Sequence, residues 1–308
     1  MRRFLNPIKY AYHDATGLIS CVILRGLEKR LPTQTLYRLT WFFSAARATL
    51  NELFKKPKST RTLPAWLQPP RSLRRRIRRR TEKYMNSKMD FFTDRLAEPR
   101  WLERCRLEGL EHLQAAKQAG RPVVLAFFHF GPFNLSHRWL RTLGFPVVAF
   151  AGGHSTQQRR LSRFLDRLSP FPELPVFIYP DQLRLVSEFL ATGKILFMAV
   201  DSPVGKQVTV PFGEGWTFTM TAGAARLAGR HGADLILCSI MNESGWRFRI
   251  KCSQPVPGAQ LKQEADWQRA NNFLMEETLV DFKAYPEQVD LPPHWSPIKA
   301  DIANPAGH

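Results

Sequence analysis

Two hydrophobic rhythms divide this chain. Before about residue 90, apolar positions recur every three or four residues; from Arg106 onward, short solid apolar runs alternate with such stretches. The first rhythm predicts a helix over 8–31, carrying Leu18, Ile19, Val22, Ile23 and Leu27. A second, over about 35–56, carries Leu36, Leu39, Trp41, Phe42, Phe43, Leu50 and Phe54. Pro32 closes the first, and Thr33 or Thr35 caps the second. Both end in basic residues, Lys29-Arg30 and Lys55-Lys56. Beyond them, Leu73 and Ile77 leave one thin apolar stripe on a helix through Arg71–Arg80.

The second rhythm predicts strands over Val123–Phe128, Pro146–Ala151, Val176–Tyr179, Ile195–Val200, Leu235–Ile240 and Arg247–Cys252. Helical spacing fills about 111–119, 133–143, 156–168, 181–192, 217–230 and 262–284. This alternation argues for an α/β fold, a mixed sheet covered by helices. The organisation expected is a helical pair over 1–56, a linker and basic helix over 57–104, a main domain over 105–290 and a loose tail over 291–308. Lys56–Pro70, rich in Pro, Ser, Thr and Lys, supplies the linker.

Charge narrows the partners. Lys and Arg number 45 against 26 acidic residues, a net charge of +19. That excess points to an anionic partner: nucleic acid, a phospholipid surface or an acidic carrier protein. Arg71–Arg80 holds seven arginines, either a contact for phosphates or carboxylates or a solvated face. No zinc-finger, RRM or KH pattern accompanies it, so nucleic acid is not expected. Apolar helices with basic ends and interleaved aromatics suit an anionic membrane surface, and also suit packing on the core; the two are compatible. No stretch approaches a transmembrane span. Met1-Arg2-Arg3 could open a signal peptide, but no small-residue cleavage site follows Gly17–Leu24, so cleavage is not expected. Cys21, Cys105, Cys238 and Cys252 are scattered and read as free thiols of a reducing compartment.

Candidate chemistry gathers at Val123–Asn134. Its apolar run ends at His129, and Gly131 and Pro132 break it. His129 therefore stands where a core strand gives way to a loop and helix, the edge at which ligands bind in open α/β sheets. An imidazole there either moves protons near neutral pH or is a core histidine bonded to backbone. Other chemistries are weak. Gly153-His154-Ser155-Thr156-Gln157 lacks the last glycine of a hydrolase elbow. No phosphate-binding glycine loop is present, and His137, His154 and His231 lack metal-binding spacing. Gly213-Glu214-Gly215 is a turn after Phe212, or a place where backbone N–H groups approach a substrate oxygen.

The chain resembles the bacterial lipid A biosynthesis (lauroyl/myristoyl) acyltransferases, within the lysophospholipid acyltransferase superfamily. Five blocks carry the resemblance: Leu107–Leu113, the strand and His-Phe-Gly of Val124–Gly131, Val210-Pro211-Phe212-Gly213, Thr221–Ala228 with Gly232-Ala233, and Tyr285-Pro286-Glu287-Gln288. The resemblance implies transfer of a fatty acyl group from acyl carrier protein or coenzyme A to a hydroxyl of a membrane lipid. It implies a place on the cytoplasmic face of the bacterial inner membrane, with no cofactor and no metal. The family's histidine accepts the hydroxyl's proton and is oriented by an Asp or Glu five residues on.

Here that position is Asn134, whose amide oxygen can accept from the imidazole but cannot balance its charge. Three readings follow. The enzyme is slower or uses an easier acceptor; another carboxylate serves, Asp201 after Ile195–Val200 being the best candidate; or the protein binds lipid or acyl chains without catalysis. His129 and Asn134 are thus the candidate catalytic residues. Arg159, Arg160, Arg163 and Arg167 are candidates for an acceptor phosphate, or an exposed basic helix face. An acyl groove is expected near Phe127, Phe130, Phe133 and Phe212. Further departures are Asp201-Ser202 for the family's Asp-Gln, Ala151-Gly152-Gly153 where it carries an Arg, and a missing Trp and His-Arg-Arg cluster after Gln288.

Overall fold

The computed structural model describes residues 2–54, 63–68, 72–150, 164, 167, 177–179, 182–202, 205–289 and 297–299. In chain order the helices are α1 (Arg2–Glu28), α2 (Thr33–Phe54), α3 (Leu73–Lys88), α4 (Leu110–Gln118), α5 (Phe133–Thr142), α6 (Leu183–Ala191), α7 (Gly223–His231) and α8 (Glu264–Ala284). The strands are β1 (Cys105–Glu108), β2 (Val123–Phe127), β3 (Val147–Phe150), β4 (Phe177–Ile178), β5 (Ile195–Ala199), β6 (Gln207–Pro211), β7 (Trp216–Thr221), β8 (Asp234–Ser244), β9 (Arg247–Cys252) and β10 (Ile298–Lys299).

One sheet has the order β1-β9-β8-β2-β5-β3-β4. Its neighbours run parallel except β8 and β9, which pair antiparallel. Parallel strands are covered on both faces, which is why β2 and β5 are solid apolar runs. Their alternate residues still part company. Val124, Ala126, Leu196 and Met198 join a cluster with Ala224 and Ala228 of α7 and Leu274 of α8. Val123, Leu125, Ile195 and Phe197 join another with Leu135 and Trp139 of α5. The period of two along a strand thus builds both helical layers at once. A smaller antiparallel sheet, β10-β7-β6, stands beside the large one.

The expected helix over 217–230 is corrected. Thr217–Thr221 is the end of β7, and α7 begins at Gly223. Thr217-Phe218-Thr219-Met220-Thr221 alternates with a period of two and is rich in β-branched residues, so it folds as strand; the alanine-rich run starts only at Ala222. The expected helix over 156–168 lies almost wholly outside the described residues. β1, β6 and β10 were not expected as strands.

The first two helices are docked by polar anchors. Arg25 donates to both carboxylate oxygens of Asp94, at 2.6 and 2.8 Å. Buried Glu28 accepts from Trp101 Nε1 at 3.1 Å and pairs with Arg95. α2 turns a stripe of Leu36, Thr40, Ser44 and Ala48 inward, each four residues after the last. Its other face leaves Trp41, Phe42, Phe43, Leu50, Leu53 and Phe54 exposed, beside Ile19, Val22 and Ile23 of α1. Among the described residues no helix is long and apolar enough to cross a membrane.

Candidate active site

β2 and β5 are neighbours in register, with Phe127 opposite Ala199. Carrying that register two residues past the strand ends sets His129 opposite Asp201. The contact is made twice. Asp201 Oδ1 lies 2.7 Å from His129 Nδ1, and Asp201 Oδ2 accepts from the His129 backbone N–H at 2.7 Å. One carboxylate therefore holds both the ring and the main chain that carries it. An Nδ1–H donated to Asp201 makes Nε2 the acceptor nitrogen of the ring. Asp201 is 1% exposed, whereas the imidazole retains 25% exposure. The ring is thus neither sealed away nor turned wholly to main-chain oxygens. Phe133 packs edge-on against it at 4.7 Å between centroids, and Phe127 stacks on Phe197 behind it at 4.0 Å.

Gly131 makes the turn out of this strand possible. Its φ is +58°, its N–H donates to Gln288 O at 2.9 Å, and a side chain there would run into the carbonyl of Ile240. Both the left-handed backbone and the close approach require glycine.

The expected bond from Asn134 to the imidazole is not made among the described residues. Asn134 sits in the first turn of α5, exposed, and lines a separate cavity of about 380 Å³. The orienting contact belongs to Asp201, which the register brings alongside His129. The cavity's other walls are α3, with Arg79, Lys83 and Asn86, and the segment Glu287–Val289. Phe133 belongs to both places, lining the cavity and packing on His129. Two carboxyls on its wall are raised above their usual range. Burial lifts Glu82 against the pull of Arg78, and burial lifts Asp90 against that of Arg138.

Three of the four aromatics expected in an acyl groove, Phe127, Phe130 and Phe212, are core residues instead. Phe130 is 1% exposed, bridges to Val289 and packs 5.0 Å from Phe282. Phe212 is fully buried between Trp66 and Phe218. Phe130 follows His129 and so points to the opposite face of the chain; Phe212 precedes a hairpin turn and closes the core beneath it. Gly213, with φ of +80°, belongs to that turn between β6 and β7. Arg159, Arg160 and Arg163 lie outside the described residues, and Arg167 is exposed. The cavity was not foreseen, because its walls come from segments far apart in the chain.

The fold is α/β, and at the carboxyl ends of its parallel strands an imidazole is clamped by a buried carboxylate, at the edge where open α/β sheets bind ligands. The description Bacterial lipid A biosynthesis acyltransferase matches residues 75–288, well over half the chain. The chain belongs to that family and is an acyltransferase. No match is found among the curated proteins. Among solved structures it is similar to the 1-acyl-sn-glycerophosphate (LPA) acyltransferase, PlsC, from Thermotoga maritima. The two share 15% identity over 82% of this chain and 96% of that one, with a TM-score of 0.42; no argument rests on that likeness.

Proposed function

We propose that this acyltransferase moves a fatty acyl group from an acyl thioester, on acyl carrier protein or coenzyme A, to a hydroxyl of a membrane lipid. His129 is the general base and Asp201 its orienting partner. The acceptor's O–H proton passes to Nε2 as its oxygen attacks the thioester carbon. The C–O bond forms, the C–S bond breaks, and the proton is returned to sulfur, which leaves as a free thiol. The thioester is already activated, so no enzyme nucleophile is required. The observation that carries this reading is the double contact of Asp201 with His129.

The outward apolar face of α1 and α2 supports a seat on a membrane surface, and the net charge of +19 favours an anionic one. We place the protein at the cytoplasmic face of the bacterial inner membrane, where thioester donors and lipid acceptors meet.

The test is release of thiol and formation of acylated lipid from an acyl thioester and mixed membrane lipids. His129→Ala is expected to abolish both with the fold intact by circular dichroism. Undiminished transfer by that variant removes His129 from the mechanism, whereas no thiol release by the unaltered protein leaves a lipid-binding protein of the same fold as the better reading.

A further inference from the structure

The cavity beside Phe133 has a chemical character of its own. Its three arginines are already engaged. Arg76 and Arg80 both pair with Glu52, at 3.2 and 2.6 Å. Arg79 donates to the carbonyl oxygens of Glu287 and Val289, at 2.9 and 3.1 Å. Of the other lining carboxyls, Glu82 pairs with Arg78 and Asp90 lies near Arg138, so the walls carry acids as well as cations. A phosphate brought here would gain little net attraction while losing its hydration, a loss that guanidiniums already bound to carboxylate do not offset.

What the cavity offers instead is neutral donors and acceptors. Asn86 Oδ1 accepts from Asn242 Nδ2, which leaves the Asn86 amide N–H groups to donate. Ser87 Oγ donates to Tyr84 O at 2.8 Å, which leaves its lone pairs as acceptors. Asn134 adds an exposed amide with one donor and one acceptor end. The space of about 380 Å³ accommodates a glycerol or a single sugar ring.

We infer that this cavity, walled by Asn86, Ser87 and Asn134, holds the headgroup of the acyl acceptor, and that this headgroup is uncharged and hydroxyl-rich rather than phosphorylated. This rests on the acyl transfer proposed above. Phe133 lines the cavity and packs edge-on against the imidazole, so a headgroup lodged there lies one ring away from His129. The acceptor hydroxyl's oxygen forms the ester, its proton goes to His129, and the donor's thiol is released.

The experiment offers the full chain one acyl-coenzyme A donor and two acceptors that differ only by a phosphate, monoacylglycerol and lysophosphatidic acid, in the same neutral detergent. Monoacylglycerol is expected to have the higher kcat/KM, by about tenfold or more. Asn134→Ala is expected to raise KM for monoacylglycerol about tenfold, with kcat changed less than about threefold. Glu52→Gln, which releases Arg76 and Arg80, is expected to narrow the preference for monoacylglycerol. A wild-type preference for lysophosphatidic acid, or an Asn134→Ala variant with unchanged KM, overturns the inference while His129-dependent transfer still stands. Thiol release with neither lipid acylated overturns it as well and spares the base. No thiol release from acyl-coenzyme A, nor from acylated acyl carrier protein offered in its place, sinks the transfer reading beneath it.

Discussion

Two histidines eight positions apart show what an environment does to one side chain. His129 stands at the carboxyl end of β2, a quarter exposed, with its Nδ1 on Asp201. His137 lies on α5, 2% exposed, between Phe177 and Phe197. Among the described residues neither of its nitrogens has a hydrogen-bond partner. Burial holds its pKa well below the usual imidazole range, and the nearby Arg138 and Arg141 push the same way. It is a neutral core ring. A carboxylate partner and a path to solvent suit the first imidazole to the proposed role of base, and the lack of both makes the second an apolar filler with two unpaired nitrogens.

The sharpest way to break this contrast is to exchange the demands on the two. His129→Ala should lower acyl transfer by about a hundred- to ten-thousandfold, the span of a lost general base, with little change in melting temperature. His137→Ala should do the reverse, leaving a cavity that costs about 2–4 kcal/mol in denaturant titration while kcat falls far less. Gly131→Ala tests the turn that sets His129 in place. A left-handed backbone with a blocked Cβ should cost about 3 kcal/mol of stability. His137 also carries a pH signature. Its folded pKa is depressed, so below about pH 6.5 the unfolded chain binds a proton that the folded chain refuses. This contribution to stability is full above that pH and is lost as pH falls. His137→Phe should flatten that part of the stability profile, as followed by thermal melts from pH 7.5 to 5.5. The smallest effect belongs to α3. Arg78 is 79% exposed and pairs with Glu82 four residues on, so Arg78→Ala should shift stability by only about 0.3–0.5 kcal/mol.

Much of this was legible in the order of residues. β2 and β5 announced themselves as solid apolar runs, and the Gly-Pro break after His129 marked the strand end. Asp201 was visible as a carboxylate one residue past the next such run. What the chain could not tell was which strands are neighbours. β5 lies between β2 and β3 in the sheet although it follows both in sequence. That crossover brings Asp201 to His129, whereas Asn134, only five residues away, is carried off on the first turn of α5. The seven arginines left two readings open, a contact for phosphates or carboxylates or a solvated face. Read as a run they suggest open positive charge, yet Glu52 and the carbonyls of Glu287 and Val289 engage three of them. Their partners sit on α2 and after α8, where no local pattern points to them. On α2 the inward stripe and the outward aromatics share one helical period, so an outward apolar face and a packed face were both readable there and both are present.

The most direct test of the central claim is the rate of acyl transfer by Asp201→Asn beside the unaltered protein, with folding followed by thermal melt. An amide keeps the shape but removes the charge that holds Nδ1–H, so turnover should drop by about two to four powers of ten. A folded Asp201→Asn variant that transfers acyl groups at the unaltered rate would contradict the account.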